Sequence, residues 1–279
     1  MKPHYQKLLF VVNRDKHHAG EIAARLAELA RGAGFETIVS DEHPMDPENF
    51  SGVDMCCVMG GDGTILGCVK GAAKYDVPIF GINVGKLGFM SAYTDSITDE
   101  EFLKAIRGEC ETEDRTLLGA KSDKGEYMAL NEFVIKSANV AGLVTLNVSA
   151  DGEFVSDFLG DGLIFATPTG STAYNLSANG PLLHPESTSY VLTSICSHTL
   201  SNRSIVFSDT SCVEVKSRDA VLIVDGHLAE QWASETSVKI FASDKKIKFI
   251  RPAGSSHFSV LRTKLGWAAL PARSGKGEL

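Results

Sequence analysis

The chain of 279 residues is 43% hydrophobic and 22% charged, enough to bury a core and long enough for two domains. Its formal net charge of −8 argues against a protein of nucleic acid or of acidic membranes, both of which need a basic face, but leaves small anionic ligands open. Six cysteines show no C-x-x-C or metal spacing, no run reaches the length of a membrane span, and Met1 to Gln6 has no signal-peptide shape; the expected setting is a reducing cytoplasm.

Lys7 to Val12 reads as a short apolar strand ending at Asn13-Arg14. From Gly20, Ile22, Leu26, Leu29 and Ala30 recur at helical spacing until Gly32 and Gly34 stop the helix, and Phe35 to Val39 is the next strand. Val53 to Lys74 then reads as buried strand, tight turn and helix: an apolar run ends at Gly60, Asp62 lies among Gly60, Gly61 and Gly63, and a helix-spaced apolar set begins at Ile65. Cys56 and Cys57, neighbours on that strand, point to opposite faces as reduced core residues. Val77 to Asn83 is another buried strand, closing on a second glycine loop at 81 to 88. Thr98 with Glu101 forms a capping box for a helix bearing Phe102, Leu103 and Ile106. The alternation predicts an α/β domain, residues 1 to 115, whose parallel sheet is covered on both faces and binds ligands at its carboxyl edge. Both glycine loops open at that edge.

Beyond Arg115 short strands alternate with turn signals such as Asp151-Gly152 and Asp225-Gly226. Val144, Leu146 and Val148 alternate with polar residues, as do Val213 and Val215, a period of two that marks half-buried antiparallel strands. A β-rich second domain spans 116 to 247, sharing one cleft with the first, and residues 272 to 279 are expected to be loose.

Three stretches carry chemistry. The first is the loop at 60 to 63, where glycines bring main-chain N–H groups close to any approaching phosphate. Asp62 there either caps the following helix or has other work, such as accepting a proton or holding a metal ion with the phosphate. The loop is not a P-loop: Gly85-Lys86 looks like part of one, but Phe80 and Leu87 stand where glycine and Ser/Thr belong. The second is Asn131-Glu132, polar neighbours inside an apolar run, one of which should point inward unless the strand is an edge or bulged. The third runs from Gly160-Asp161-Gly162 through Thr167-Pro168-Thr169-Gly170-Ser171-Thr172-Ala173-Tyr174-Asn175-Leu176-Ser177, where small hydroxyl residues lead from a strand into a helix and suit an anion, a ribose or an amide.

Gly60-Gly61-Asp62-Gly63-Thr64, Asn131-Glu132 and Asp161-Gly162 with Thr167 to Tyr174, in this order and spacing, closely resemble the NAD kinases. Gly81-Ile82-Asn83, Leu87-Gly88-Phe89, His198-Thr199-Leu200 with Arg203, Asp225-Gly226, and Leu261 to Leu265 with Trp267 extend the resemblance to the end of the chain. The glycine motif is shared with lipid kinases; the long Thr-Pro-Thr-Gly-Ser-Thr-Ala-Tyr motif is not. The resemblance implies ATP-dependent phosphorylation of the 2′-hydroxyl of the adenosine ribose of NAD, with Mg²⁺ or another divalent cation accompanying ATP and no metal ligand assigned in the chain. It implies Asp62 as proton acceptor, Gly60, Gly61, Gly63 and Thr64 around the phosphates, and Asp62, Gly63, Asn131, Glu132, Asp161 and Thr172 to Ser177 around NAD. It further implies a homodimer or homotetramer and a C-terminal segment, 248 to 279, packed back on the first domain.

A ribose hydroxyl loses its proton late in a loose phosphoryl-transfer transition state, when a positioned carboxylate can take it. Two departures from the family pattern stand out: Leu159 replaces an arginine often found two residues before Asp161, and His227 follows Asp225-Gly226 where glutamine is common. His227 either favours a 2′-phosphate or is a solvated turn residue; Lys86 and Arg203 either neutralise phosphate or are exposed loop charges. The rival readings are a lipid or other small-molecule kinase, which leaves Asn131-Glu132 and Thr167 to Tyr174 without a role, and a non-catalytic dinucleotide-binding module, which has no use for a loop carboxylate.

Overall fold

The computed structural model describes residues 5–85, 88–139, 142–199 and 201–267. Lys86, Leu87, Leu200 and the 272 to 279 tail, on which expectations above fall, lie outside the described residues. The elements are β1 (Lys7–Val12), α1 (Ala19–Gly32), β2 (Glu36–Ser40), β3 (Met55–Gly60), α2 (Asp62–Leu66), α3 (Val69–Tyr75), β4 (Ile79–Asn83), β5 (Tyr93–Thr94), α4 (Asp99–Ile106), β6 (Glu111–Ser122), β7 (Glu126–Ala129) and β8 (Glu132–Ser137). They continue with β9 (Val144–Ala150), β10 (Glu153–Gly160), β11 (Gly162–Ala166), α5 (Tyr174–Ser177), β12 (Ser189–Ile195), β13 (Ile205–Ser208), β14 (Cys212–Ser217), β15 (Ala220–Val224), β16 (His227–Trp232), β17 (Thr236–Arg251) and α6 (His257–Leu265).

In the first half, β2, β1, β3 and β4 lie side by side and parallel. Cys57 packs into the core layer of α1 and α4, and Cys56 into that of α2 and α3, so both faces of the sheet are covered. Thr98 and Glu101 close the expected capping box at the start of α4. Because β1 has β2 on one side and β3 on the other, the chain reverses its winding between β1 and β3. That arrangement opens a crevice at the carboxyl ends of those strands. Asn13 and the loop at Gly60 meet there: Asn13 N–H donates to Met59 O and its amide to Thr64 Oγ1, both at 3.0 Å.

The second half packs two antiparallel sheets over a core that includes Phe133, Phe165, Tyr190 and Trp232. β6 and β17 run through both halves and cross the positions, 115 and 247, where the sequence suggests boundaries. The first part of β17 pairs with β14, its end pairs with β4 at Phe249 and Ile79, and its register with β6 shifts between Ala242 and Lys246. The shift bends one continuous strand from one half into the other. Phe249 and Ile250 thereby enter the core layers on opposite faces of the parallel sheet.

Candidate functional site

Asp62 does not cap its helix. Gly61 is the N-cap of α2 with no side-chain bond, and the Asp62 carboxylate reaches instead to the second glycine loop, accepting from Phe89 N–H at 2.8 Å and Met90 N–H at 3.2 Å. The strands β3 and β4 bring the two loops together, with Gly60 opposite Asn83 and Val84 N–H bonded to Gly60 O at 3.3 Å. Thr64, expected near phosphate, is 3% exposed and holds its hydroxyl under Gly60, where any side chain on Gly60 would overlap it. Gly61 and Gly63 differ: a Cβ on either meets open space, and neither has the positive φ that demands glycine. The fold does not require a bare glycine at either position.

Both members of Asn131-Glu132 turn inward, each 7% exposed. The Asp225 carboxylate accepts from the main-chain N–H groups of Leu130, Asn131 and Glu132 at 2.9, 2.8 and 3.1 Å, fixing the backbone at the start of β8. The main chain of Tyr174 lies near the Glu132 carboxyl and favours its ionised form, while Glu132 Oε2 and Asn131 Oδ1 are buried with no partner. Burial first, and then the charge of Asp225, pushes the Glu132 carboxyl up to about 8. It therefore holds its proton to a higher pH than an ordinary glutamate. Burial also raises the Asp225 carboxyl, opposed by its three N–H donors and by His227. Two orphaned polar atoms in a native interior call for a ligand that pairs with them.

The stretch from Thr167 wraps onto this pair. Thr167 N–H donates to Asn131 O at 2.9 Å, its hydroxyl to Leu130 O, and Gly170 lies so close to Asn131 O that no side chain fits there. Thr172 bonds Thr169 O at 3.0 Å, and Tyr174 and Ser177 face outward, Tyr174 at 42% exposure. Asn175 differs from the expectation of a ligand contact. It is fully buried, its amide donating to Ser171 O and Pro181 O and accepting from Thr193 at 2.7 Å, so its side chain is spent inside the protein. Leu130 shares a core layer with Ile65 and Met90, which ties this cluster to the glycine loops.

Asp161 stands apart. It is exposed beside Cys196, one residue before β11, whose far end at Ala166 pairs with Glu132. Five steps of strand put it roughly 16 Å from that end. His227, exposed at the start of β16, sits by Asp225, and Arg203 donates to Asn202 O at 2.8 Å. Residue reasoning passed over the work of Asp225, for which the Asp225-Gly226 turn was the available signal, and the N–H pair of Phe89 and Met90, for which there was none.

Fold and site define a two-lobed nucleotide-handling protein with an acidic glycine loop at the cleft. Residues 40–110 match the family model of the ATP-NAD kinase N-terminal domain and residues 130–252 that of the C-terminal domain. The NAD kinase of Syntrophotalea carbinolica is 38% identical over 88% of this chain and 93% of its own, and one from Clostridium botulinum (strain Kyoto / Type A2) 36% identical over 96% and 98%. The crystal structure of an Archaeoglobus fulgidus NAD kinase in complex with ATP covers 95% of this chain and 100% of its own at TM-score 0.80 and 25% identity. Yeast NADH kinase complexed with NADH, at TM-score 0.84 and 21% identity over 96% and 90%, shares the fold. The chain belongs to the NAD kinase family, whose function is ATP-dependent phosphorylation of NAD.

Proposed function

We propose that the chain transfers the γ-phosphoryl group of ATP to the 2′-hydroxyl of the adenosine ribose of NAD, with Asp62 as proton acceptor. The 2′-oxygen bonds to the γ-phosphorus as the bond to the β–γ bridging oxygen breaks, ADP leaves, and the hydroxyl proton passes to the Asp62 carboxylate. One observation carries the reading: Asp62 is held by Phe89 and Met90 N–H groups rather than spent on its own helix, so the carboxylate is fixed at the carboxyl ends of β3 and β4. Hydrogen bonds from two N–H groups fix its direction and leave lone pairs for the hydroxyl.

The bare Gly61 and Gly63 admit the phosphates, and protonated Glu132 with Asn131 Oδ1 supplies a donor and an acceptor for the dinucleotide. Thr172, Ala173, Tyr174, Leu176 and Ser177 line that side, and Asn175 braces them. A divalent cation accompanying ATP would lower the charge repulsion at the transferred group. The assembly is a homodimer or homotetramer in which Asp161 serves a neighbouring copy; supporting this are its distance from Glu132 along β11 and the exposure of Phe154 and Leu159 on the edge strand β10. We keep a division at about 115 and 247; the gap between the two family-model matches, from 110 to 130, supports the first of these. A reducing cytoplasm suits six free cysteines; among the described residues no helix is long and apolar enough to cross a membrane. The test is to incubate the protein with Mg²⁺-ATP and NAD and read NADP with an NADP-specific dehydrogenase; no product defeats the reading, and turnover of diacylglycerol instead favours a lipid kinase.

A further inference from the structure

The helix α6 leans on both sides of the site. The end of β17 pairs with β4 at Phe249 and Ile79, and β4 leads to the loop that carries Phe89 and Met90, so the chain leaving β17 delivers α6 beside that loop. The foot of this link is fixed: Glu113 lies 2.9 Å from Arg115 Nη2 and 2.8 Å from Arg251 Nε, and Arg115 donates to Thr169 Oγ1 at 3.3 Å. Along α6, Leu261 is buried, and Lys264, in the last turn, reaches over the Phe89 ring with Nζ 5.5 Å from the ring centre. At the other end, the rings of His257 and Phe258 lie 5.6 and 5.8 Å from that of His184. His184 follows Leu183, whose N–H donates to Ser171 Oγ at 3.0 Å in the stretch that wraps Asn131.

The two N–H groups that hold Asp62 are anchored differently. Met90 is buried in the core layer of Ile65 and Leu130, and its bond to Asp62 is the longer, 3.2 Å. Phe89 makes the shorter bond, 2.8 Å, yet its side chain is only half-buried and lines, with His257 and Val260 of α6, a cavity of about 700 Å³. A ring beside open space keeps its rotamer freedom unless something holds it. An ammonium over the face of an exposed ring weights such an equilibrium about two- to fivefold. The backbone between ring and carboxylate has little slack, because Gly88 lies directly against Asp62 Oδ1.

We infer that Lys264 is a positioning residue: it holds the Phe89 ring and, through the Phe89 N–H, the direction of the Asp62 carboxylate. The assignment rests on the reading of Asp62 as proton acceptor. Two other roles suit a lysine here, steadying the negative end of α6 from its last turn and touching the phosphates of ATP directly. Each leaves a different kinetic trace. Initial rates of NADP formation and melting temperatures are measured for the wild type, Lys264→Met, Lys264→Arg, Phe89→Leu and the double variant Lys264→Met with Phe89→Leu. Methionine keeps the length of lysine without its charge, arginine keeps a cation that stacks on a ring, and leucine at 89 keeps the N–H without the ring. Hydrogen exchange of the Phe89 and Met90 amides is followed in the same proteins by NMR.

Lys264→Met should lower kcat about two- to fivefold, with KM for ATP and for NAD within about twofold of wild type, and Lys264→Arg should restore it. In the Phe89→Leu background Lys264→Met should cost nothing further, since the ring it acts through is gone. Exchange of the Phe89 amide should quicken by the same factor in Lys264→Met, with that of Met90 unchanged. A raised KM for ATP with kcat kept marks a direct phosphate contact and overturns the assignment. An equal loss of kcat in both backgrounds, with a lowered melting temperature, marks support of the helix alone and overturns it too, as does an unchanged kcat in Lys264→Met. If the wild type makes no NADP, the kinase reading fails, and amide exchange alone then decides whether Lys264 holds the Phe89 tether.

Discussion

The carboxylate of Asp62 accepts a 2.8 Å hydrogen bond from the main chain of Phe89, on a loop 27 residues downstream. Gly88 makes this possible, since a Cβ there would overlap Asp62 Oδ1. Gly88→Ala should therefore displace the carboxylate while sparing the cores, and a shift of about 1 Å at a reacting group can cost on the order of 10²-fold in rate. The expected outcome is kcat reduced by that order with a melting temperature near wild type; normal turnover would show that the tether does not position Asp62.

Gly63 is the second residue of α2 and has open space where a Cβ would be. Gly63→Ala should leave stability unchanged or raise it by about 0.5–1 kcal/mol, since alanine loses less entropy in a helix. If the loop cradles phosphate, the same change raises KM for ATP or lowers kcat. Urea unfolding alongside initial rates checks both; an active, more stable variant would remove Gly63 from phosphate binding.

Glu132 links the site to pH. Its carboxyl is raised to about 8 from an ordinary 4.5, so the folded protein holds this proton more tightly than the unfolded chain. Its contribution to stability is fully present below about pH 4.5, is lost as pH rises toward 8, and is level beyond, a span on the order of 5 kcal/mol. Glu132→Gln should flatten that decline and be the more stable protein at pH 8, with weaker NAD binding. Chemical denaturation at pH 5 and pH 8 measures it; an unaltered slope would mean that Glu132 ionises normally in the fold.

The far placement of Asp161 predicts a shared site. Asp161→Ala should raise KM for NAD about tenfold with little change in melting temperature. Mixing it with Asp62→Asn under subunit exchange should restore activity above either variant, because one copy then supplies Asp62 and the other Asp161. No recovery in mixed oligomers would place Asp161 outside the neighbouring site.

Much of the fold is legible in the sequence. Cys56 and Cys57 declared a strand buried on both faces because their side chains alternate and neither is polar, and the glycine loops fell at the carboxyl edge because each follows such a strand. Pattern did not show that β6 and β17 are single strands serving both halves, since a bulge between Ala242 and Lys246 hides their continuity under polar residues. Nor did it show the partner of Asp62, because Phe89 and Met90 contribute main-chain N–H groups that any sequence possesses. Asn175 looked like its outward neighbours Tyr174 and Ser177; only the meeting with Thr193 on β12 turns it inward. The Arg115, Arg251 and Glu113 cluster is assembled across two strands remote in sequence and left no local trace.

The central claim is that the Asp62 carboxylate takes the proton of the ribose hydroxyl. The direct measurement is kcat for Asp62→Asn beside NAD affinity by calorimetry, since the amide keeps one oxygen for Phe89 or Met90 but is no base. The account predicts kcat lower by about 10²–10⁴-fold with NAD affinity largely kept. Turnover at the wild-type rate in a variant that binds NAD normally would contradict it.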